Sequence, residues 1–524
     1  MVRQTDLLTH PLGDALLESP LPVAGSDAGR NRLTAPTFAA RTEALLTAGD
    51  VPGAVRHLAA RPGELTRRLQ HLLRVHDRWL PWTDPPAELL DALPDALRRV
   101  APGPLLGALG RLRADRPTGE RRLCFPPAGI ARVPVRDPWL DPLPERLRKP
   151  VRALLEAELL RRASAAGGDG GGSGGGEAGG DGGGDAYELA VIDEELADLP
   201  VPTAVRTAAR SLVRLPRGSV RALPEGARLR LFLHWTQPRG LRIDLDLSPA
   251  LYDEDWHFQG LCDYTHLVHG RRAAVHSGDL TSAPPPHGAT EFVDLDLAEL
   301  AADGTRYAVP VVFAYNDIPF DRLTDAFAGF MELTPAGTRG RERFDPRAVR
   351  QRYDLAGNTR VGVPLVVDLR TRRYTWTDAS LGAVGGRHNL RRHSRRIGRL
   401  AADLLAHYGD GGRATLWDLA AAVAAGWAGR VVVRRRDGAL TGHLRRPGET
   451  AAEFRRRLDG PGDPLPAVEL AGRRALFALT TADLPPAPGL TGTAYRLHPG
   501  PLDAAALTLG AFEDLLALLH GSEG

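Results

Sequence analysis

The sequence is poor in the residues that usually hold small secreted proteins together. Its 524 residues include only two cysteines, Cys124 and Cys262, which excludes a disulfide framework and a zinc site built from four thiolates. Lysine is almost absent, so arginine carries the positive charge. The formal net charge of +3 makes no general demand for nucleic acid or an anionic membrane. We interpret this usage, with its many alanines and glycines, as that of a GC-rich bacterial genome.

Long apolar runs are missing as well. No stretch of about 18 uninterrupted apolar residues occurs, which argues against a membrane span. The N-terminus contains no apolar segment of signal-peptide length. Together with the low cysteine content, these features predict a cytoplasmic protein.

Changes in composition divide the chain into segments, of which the first three differ sharply. Residues 1–37 are rich in proline, glycine and serine and are predicted to be mostly disordered. Leucines at helical spacing predict an α-helical domain over residues 38–166. Residues 167–186 are predicted to form a flexible linker, because 13 of residues 167–185 are glycine.

The rest of the chain has a different pattern. Short runs rich in β-branched and aromatic residues, separated by proline and glycine, predict an antiparallel β-sandwich over residues 187–384. Residues 385–524 mix amphipathic helices with a hairpin at Asp437-Gly438 and are predicted to be an α/β region. The expected fold class is therefore multidomain α and β, with an N-terminal helical domain, a central sandwich and a mixed C-terminal region.

Two acidic pentads stand out in the predicted sandwich, I-D-L-D-L at residues 243–247 and V-D-L-D-L at residues 293–297. Alternate residues of a strand share a face, so the apolar residues point one way and the aspartates the other. The simplest interpretation places the leucines in the core and the aspartates in water. However, aspartate is disfavoured in strands and like charges on adjacent strands repel, so a bound cation is the alternative.

Calcium is the cation that best suits clustered carboxylates, because it takes six to eight oxygen ligands. Other acidic residues lie near the pentads in sequence, including residues 253–255, Asp279 and Glu291. The nearby His276 and His287 do not have the spacing of a zinc signature. A glycosidase-like carboxylate pair among Asp244, Asp246 and Glu291 would also be chemically sufficient for hydrolysis.

Several spaced motifs resemble the TerD family of tellurium-resistance and stress proteins. They are RLRLFLHWTQPRGLRIDLDLSPALYDEDW, VHSGDLTSAPPPHGATEFVDLDL and RYAVPVVFAYNDIPFDRLTDAFAGFMEL, in this order over residues 228–333. The resemblance implies a β-sandwich that binds Ca²⁺ through acidic loops and acts in stress responses without known catalysis. The implied metal ligands are Asp244, Asp246, Asp279 and Glu291. Residues 280–290, where the family pattern is rich in glycine and aspartate, contain no acidic residue here.

Further segments, such as VPLVVDLRTRRYTWTD, resemble the C-terminal half of long bacterial proteins with a TerD domain. Those proteins can carry a zinc-binding RING-type domain upstream, which we expect to be absent from a chain with two cysteines.

The sequence thus predicts a non-enzymatic binding or scaffold protein of the stress response that associates with other proteins. A hydrolase that uses the acidic cluster is one alternative. A nucleic-acid-binding protein is the other, because residues 387–457 contain sixteen arginines and only six acidic residues. In an arginine-rich chain, however, a solvated helix face accounts for such a cluster more simply.

Overall fold

The computed structural model describes a large part of the chain. The predicted disordered N-terminus and the predicted glycine linker lie outside the described residues. None of the described helices combines the length and the apolar character needed to cross a membrane. The described residues are 37–113, 122–123, 135–136, 143–166, 187–201, 215–333, 349–380, 390–409, 411–464, 472–481, 489–498 and 507–519.

A helical unit is formed by residues 37–100 together with residues 143–154. Its helices begin where the sequence provides caps: Thr37 accepts a hydrogen bond from the backbone N–H of Ala40, and Asp50 from that of Gly53. The leucines at i, i+4, i+7 and i+8 of the helix Pro62–Trp79 are all buried, as their spacing predicts. The helices are α1 (Phe38–Thr47), α2 (Val51–Ala59), α3 (Pro62–Trp79), α4 (Ala87–Arg98) and the beginning of α6 (Glu145–Ala166).

The remaining described residues belong to the second unit. It includes α5 (Pro102–Arg113) and the end of α6, which the sequence assigned to the helical domain. Both helices pack on later parts of the chain: Arg113 lies 2.6 Å from Asp418, and Trp427 donates to the carbonyl of Ala163. Two short strands, β1 (Arg122–Leu123) and β2 (Val135–Arg136), pair with each other in this unit.

The centre of the second unit consists of two six-stranded antiparallel sheets. The first has the strand order β13-β12-β5-β10-β9-β8 and the second the order β4-β15-β14-β11-β6-β7. Aromatic side chains of the two sheets contact each other, with the Phe330 and Tyr374 rings 5.0 Å apart and those of Tyr353 and Trp376 5.1 Å apart.

The strands of the first sheet are β5 (Arg228–Thr236), β8 (Val268–His269), β9 (Ala274–His276), β10 (Ala289–Asp296), β12 (Asp325–Glu332) and β13 (Val349–Asp354). Those of the second are β4 (Val220–Ala222), β6 (Leu245–Tyr252), β7 (Phe258–Leu261), β11 (Tyr307–Ala314), β14 (Val361–Asp368) and β15 (Arg373–Ser380). The short helix α7 (Leu297–Ala302) follows β10.

A long helix, α8 (Leu390–Tyr408), covers the second sheet. Its apolar face, which includes Ile397 and Leu404, joins the same buried cluster as Val309 and Val363 of the sheet. The helix approaches closely because residue 398 is glycine: a Cβ there would lie 2.6 Å from the Tyr252 ring.

A third sheet of seven strands lies in the same unit, in the order β18-β17-β16-β3-β19-β20-β21. Strands β16, β3, β19, β20 and β21 run parallel to one another. Strand β17 pairs with β16, and β18 pairs with β17, in the antiparallel direction. The strands are β3 (Leu189–Asp193), β16 (Arg430–Arg434), β17 (Leu440–Leu444), β18 (Asp463–Pro464), β19 (Arg474–Thr481), β20 (Thr491–His498) and β21 (Leu507–Ala511). The associated helices are α9 (Leu416–Trp427), α10 (Ala451–Arg457) and α11 (Phe512–Ala517).

The β-sandwich is inserted into this α/β region. The chain leaves the α/β region after β3 and returns just before α9, where Val201 donates to the carbonyl of Ala414 and Leu416 to that of Leu199. The domain boundaries thus differ from those expected at residues 187 and 385: β3 belongs to the C-terminal sheet, and α8 packs on the sandwich. The reason is that β3 pairs with strands more than 200 residues away, and sequence patterns do not report such pairing.

Candidate metal centre

The first acidic pentad lies at the beginning of β6, where both faces of the strand are buried. Leu245 and Leu247 point into the core as expected. Asp244 and Asp246 are also buried, with exposed fractions of 8% and 3%. The interpretation that places these aspartates in water is therefore wrong for this pentad. A buried carboxylate is costly unless a hydrogen-bond donor or a cation balances its charge.

Three carboxylates converge at this point. Asp244, Asp246 and Asp279 each offer one oxygen, and the three oxygens lie within 4.8 Å of one another. Asp279 comes from the loop after β9, follows Gly278 with its φ of 120°, and is exposed. The cluster therefore consists of two buried carboxylates and one that is exposed to solvent. Among the described residues, this is the group of carboxylates that satisfies the spacing of a metal site.

The pKa values of the two buried aspartates show how unfavourable their charges are without a cation. Burial, followed by the charge of Asp279, raises the pKa of Asp244 to about 6. Burial and the charge of Glu291 raise the pKa of Asp246 to about 9. Oδ1 of Asp244 and Oδ2 of Asp246 have no hydrogen-bond partner among the described residues. Two buried acceptors thus lack a donor at the place where the three carboxylates meet.

Glu291, the fourth ligand implied by the family resemblance, is completely buried on β10. Its Oε2 accepts the backbone N–H of Leu247 at 3.0 Å, and its Oε1 accepts that of Leu280 at 3.0 Å. These bonds tie β6 to the loop that carries Asp279. Glu291 is not among the three carboxylates that converge, and the geometry suits a residue that positions the loop.

His276 is buried beside Glu291. Its Nδ1 accepts the N–H of Gly278 at 3.1 Å, so the proton of the neutral ring is on Nε2. This nitrogen lies 3.5 Å from Oε2 of Glu291. Ser277 instead bonds its hydroxyl oxygen to the N–H of Phe292. Serine and histidine are therefore engaged with different groups, and they do not form a nucleophile–base pair.

The structure adds a group that the sequence analysis missed. Asp263, which is fully buried, accepts three hydrogen bonds at Oδ1 from Thr265 and His266, while its Oδ2 has no partner among the described residues. Its charge contributes to the raised pKa of Asp246. Next to it, burial and the charge of Asp246 raise the pKa of Tyr264 to about 12. An aspartate two residues before a threonine signals a local turn, but nothing in the sequence places that turn beside β6.

The second pentad has a different environment. Asp294 lies opposite Arg230 in the register of β10 and β5 and forms two hydrogen bonds with it, at 2.6 and 2.7 Å. Asp296 lies opposite Arg228 and also caps α7 through the N–H of Glu299. These aspartates are paired and partly exposed, so for them the interpretation as the polar face of a sheet is adequate.

Residues 253–255 lie at the other end of β6 from the three converging carboxylates. Asp253 accepts hydrogen bonds from the N–H groups of Asp255 and His257 within its own turn. The loop of residues 280–290 is held by Gln237, whose N–H donates to the carbonyl of Ala283 and whose Oε1 accepts the N–H of Ala283. Neither segment supplies the cluster with a carboxylate in place of the missing acidic loop residues.

Comparisons with known proteins find few relatives. No protein-family model matches the chain, and no curated protein matches it. Among solved structures, the crystal structure of the unknown-function protein SAV2460 matches at 13% identity over 33% of this chain and 98% of its own, with a TM-score of 0.26. A homologue of the telluride resistance protein TerD, SCO6318 from Streptomyces coelicolor A3(2), matches at 12% identity over 33% of this chain and 97% of its own, also with a TM-score of 0.26. At this distance neither likeness assigns a residue or an activity to the chain.

Proposed function

We propose that the β-sandwich binds a divalent cation, Ca²⁺, through Asp244, Asp246 and Asp279. The observation that supports this most directly is the pair of buried carboxylate oxygens without a donor, at the point where the three side chains meet. A cation there compensates three negative charges and occupies the positions at which a donor is missing. Glu291 contributes by fixing the Asp279 loop against β6.

Calcium suits this site better than a transition metal. The three converging groups are all carboxylates, and a hard cation prefers oxygen ligands. The nearby imidazole of His276 is turned towards Glu291 and Gly278. Three carboxylates supply only part of the six to eight ligands of calcium, so water or an oxygen of a binding partner completes the shell on the side of exposed Asp279.

At the level of the whole protein, we propose a cytoplasmic, non-enzymatic binding protein of the tellurium-resistance and stress-response type. The ordered motifs over residues 228–333 and the antiparallel sandwich that they form support this proposal. In this role the sandwich presents a calcium-dependent surface to protein partners, while the α/β region holds both ends of the inserted domain.

The raised pKa values also favour a second candidate, a hydrolase. An aspartate with a pKa of about 6 beside one with a pKa of about 9 provides a base and an acid near neutral pH. A metal centre gives the same shifts before its cation binds. The two candidates predict different effects of calcium. In a binding protein, calcium occupies its own site. In a hydrolase, calcium blocks the acid–base pair and inhibits the reaction.

Calorimetric titration of the full, EDTA-treated chain with CaCl₂ tests the proposal. We expect saturable binding that is lost in Asp244→Asn/Asp246→Asn and retained in Asp294→Asn/Asp296→Asn. The second variant removes the same charges from the other pentad and serves as the matched control. Absence of heat and of any change in melting temperature at millimolar calcium would contradict the metal site. Hydrolysis of a glycoside panel that calcium inhibits would favour the enzyme.

A further inference from the structure

Helix α8 has two contrasting faces. One face is apolar and packs on the second sheet of the sandwich. The other is exposed and consists almost entirely of arginine over its first three turns. We call this the arginine face, and its residues are Arg391, Arg392, Arg395, Arg396 and Arg399.

Four of these side chains, those of Arg392, Arg395, Arg396 and Arg399, form no ion pair or hydrogen bond with any described residue. For Arg392, Arg395 and Arg396 the sequence offers no local partner either, since the first acidic residue of α8 is Asp403. The positive charge is therefore available to a partner.

The later arginines of the same basic region are engaged within the fold. Arg434 forms two hydrogen bonds of 2.7 Å with Asp193, and Arg455 lies 3.2 Å from Asp418. Arg457 pairs with Glu449 at 2.7 Å. The structure thus divides the basic region of residues 387–457. After α9 the arginines mostly pair within the fold, whereas Arg392, Arg395, Arg396 and Arg399 of α8 pair with none of the described residues.

The helix is held rigidly, so the arginine face is presented in a fixed arrangement. The hydroxyl of Tyr252 donates to the carbonyl of Ser394 at 2.7 Å, and the Tyr252 ring packs closely against Gly398. Binding through this face costs little ordering of the backbone, because the helix is already anchored to the sheet.

We propose that the arginine face binds the phosphate backbone of double-stranded nucleic acid without reading its sequence. Arginine presents a planar fork of donors that matches phosphate oxygens, and B-DNA carries about one charge per 1.7 Å of its axis. From Arg392 to Arg399 the helix rises about 10 Å, enough to reach several neighbouring phosphates. No described residue of α8 is a large exposed apolar side chain, so the face lacks the group that inserts into a membrane. This inference is independent of the metal centre.

Fluorescence anisotropy with the full chain and a labelled 24-base-pair DNA duplex tests the proposal across a series of salt concentrations. Four phosphate contacts predict a slope of about −3.6 in log K against log salt concentration. We expect Arg392→Gln/Arg395→Gln/Arg396→Gln/Arg399→Gln to weaken binding at least about tenfold at low salt and to make the slope shallower. The matched control removes four positive charges from exposed positions outside the basic region: Arg41→Gln/Arg239→Gln/Arg271→Gln/Arg322→Gln.

The control variant should bind within about twofold of the unmodified chain. Replacing the same four α8 arginines with lysine should keep the salt slope, which separates loss of charge from loss of the helix. Equal weakening of the glutamine and control variants would overturn the proposal, because total charge would then explain binding. Absence of binding at micromolar protein in low salt, or tighter binding to phosphatidylserine vesicles than to the duplex, would also overturn it.

Discussion

The pentads at residues 243–247 and 293–297 differ by one residue in sequence, isoleucine against valine, yet their aspartates lie in opposite environments. Asp294 and Asp296 face arginines on the neighbouring strand β5. Asp246 lies opposite Phe313 of β11, and the short β7 pairs only with Ala250, Leu251 and Tyr252 of β6. The second pentad therefore has a cross-strand counter-charge. In the first, the charges of neighbouring carboxylates raise the pKa of both aspartates, and the charge of Arg242 offsets only part of this at Asp244.

The comparison shows that the free-energy cost of a carboxylate on a strand depends on the side chains that lie beside it. Where a cross-strand arginine is present, a carboxylate contributes modestly to sheet pairing. Where it is absent and the site is buried, the same carboxylate becomes protonated or requires a cation. Exchanging or removing charges in the two pentads should thus give effects of different size and sign.

The largest expected difference is in the pH dependence of stability without metal. Because the pKa of Asp246 is raised from its unfolded value to about 9, its contribution to stability is fully present in acid and is lost as the pH rises. The EDTA-treated protein should lose about 4 kcal/mol between pH 5 and pH 8, at about 1.36 kcal/mol per pH unit. Asp246→Asn should largely flatten this dependence and Asp294→Asn should not, as measured by urea unfolding at each pH. A profile of stability against pH that is identical in both variants would contradict the assignment.

The second-largest difference between the pentads is expected in their effect on calcium affinity. Asp246→Asn removes a buried ligand and should weaken binding about 100-fold, or about 2.7 kcal/mol. Asp294→Asn lies in an ion pair on the other sheet and should leave the dissociation constant within about twofold. Titration calorimetry at pH 8 gives both values. If Asp246→Asn keeps the calcium affinity of the unmodified protein, the metal site does not include Asp246.

Glu291→Gln tests the residue whose carboxylate links β6 to the loop that carries Asp279. The amide retains one acceptor, so the N–H of either Leu247 or Leu280 loses its partner, and the amide itself lies in the fully buried position of Glu291. We expect a loss of about 2 kcal/mol in the free energy of unfolding, together with weaker calcium binding because the Asp279 loop is released. Normal stability with abolished calcium binding would instead make Glu291 a direct ligand.

The smallest effect is expected at the paired pentad. Asp294→Ala breaks a partly exposed ion pair with Arg230 and should cost about 0.5–1 kcal/mol. The exchange Arg230→Asp/Asp294→Arg should recover part of this, since the partners remain opposite each other in the register. Urea unfolding of the single and double variants measures the coupling. If Asp294→Ala lost more free energy of unfolding than Glu291→Gln, the view that the second pentad is paired and weakly stabilising would be contradicted.

Much of the local structure follows from the sequence. The leucine spacing of α3 predicts an amphipathic helix, and the alternation in the pentads predicts strands; the structure contains both kinds of element at these places. The motifs around Asp244, Asp246 and Asp279 also identified residues that meet in space. Such features depend on neighbours a few residues apart, which the sequence displays directly.

What the sequence alone determined, then, is which segments form helices and strands and which acidic residues are available. Only the tertiary structure decided that the sandwich is inserted after β3, and that Asp263 joins the charges around Asp246. It also decided that the aspartates of one pentad lie opposite arginines, whereas Asp246 of the other lies opposite Phe313. These outcomes depend on which strands pair across tens or hundreds of residues. The energy of a buried charge is set by the groups brought beside it, and their identity is fixed only when the chain has folded.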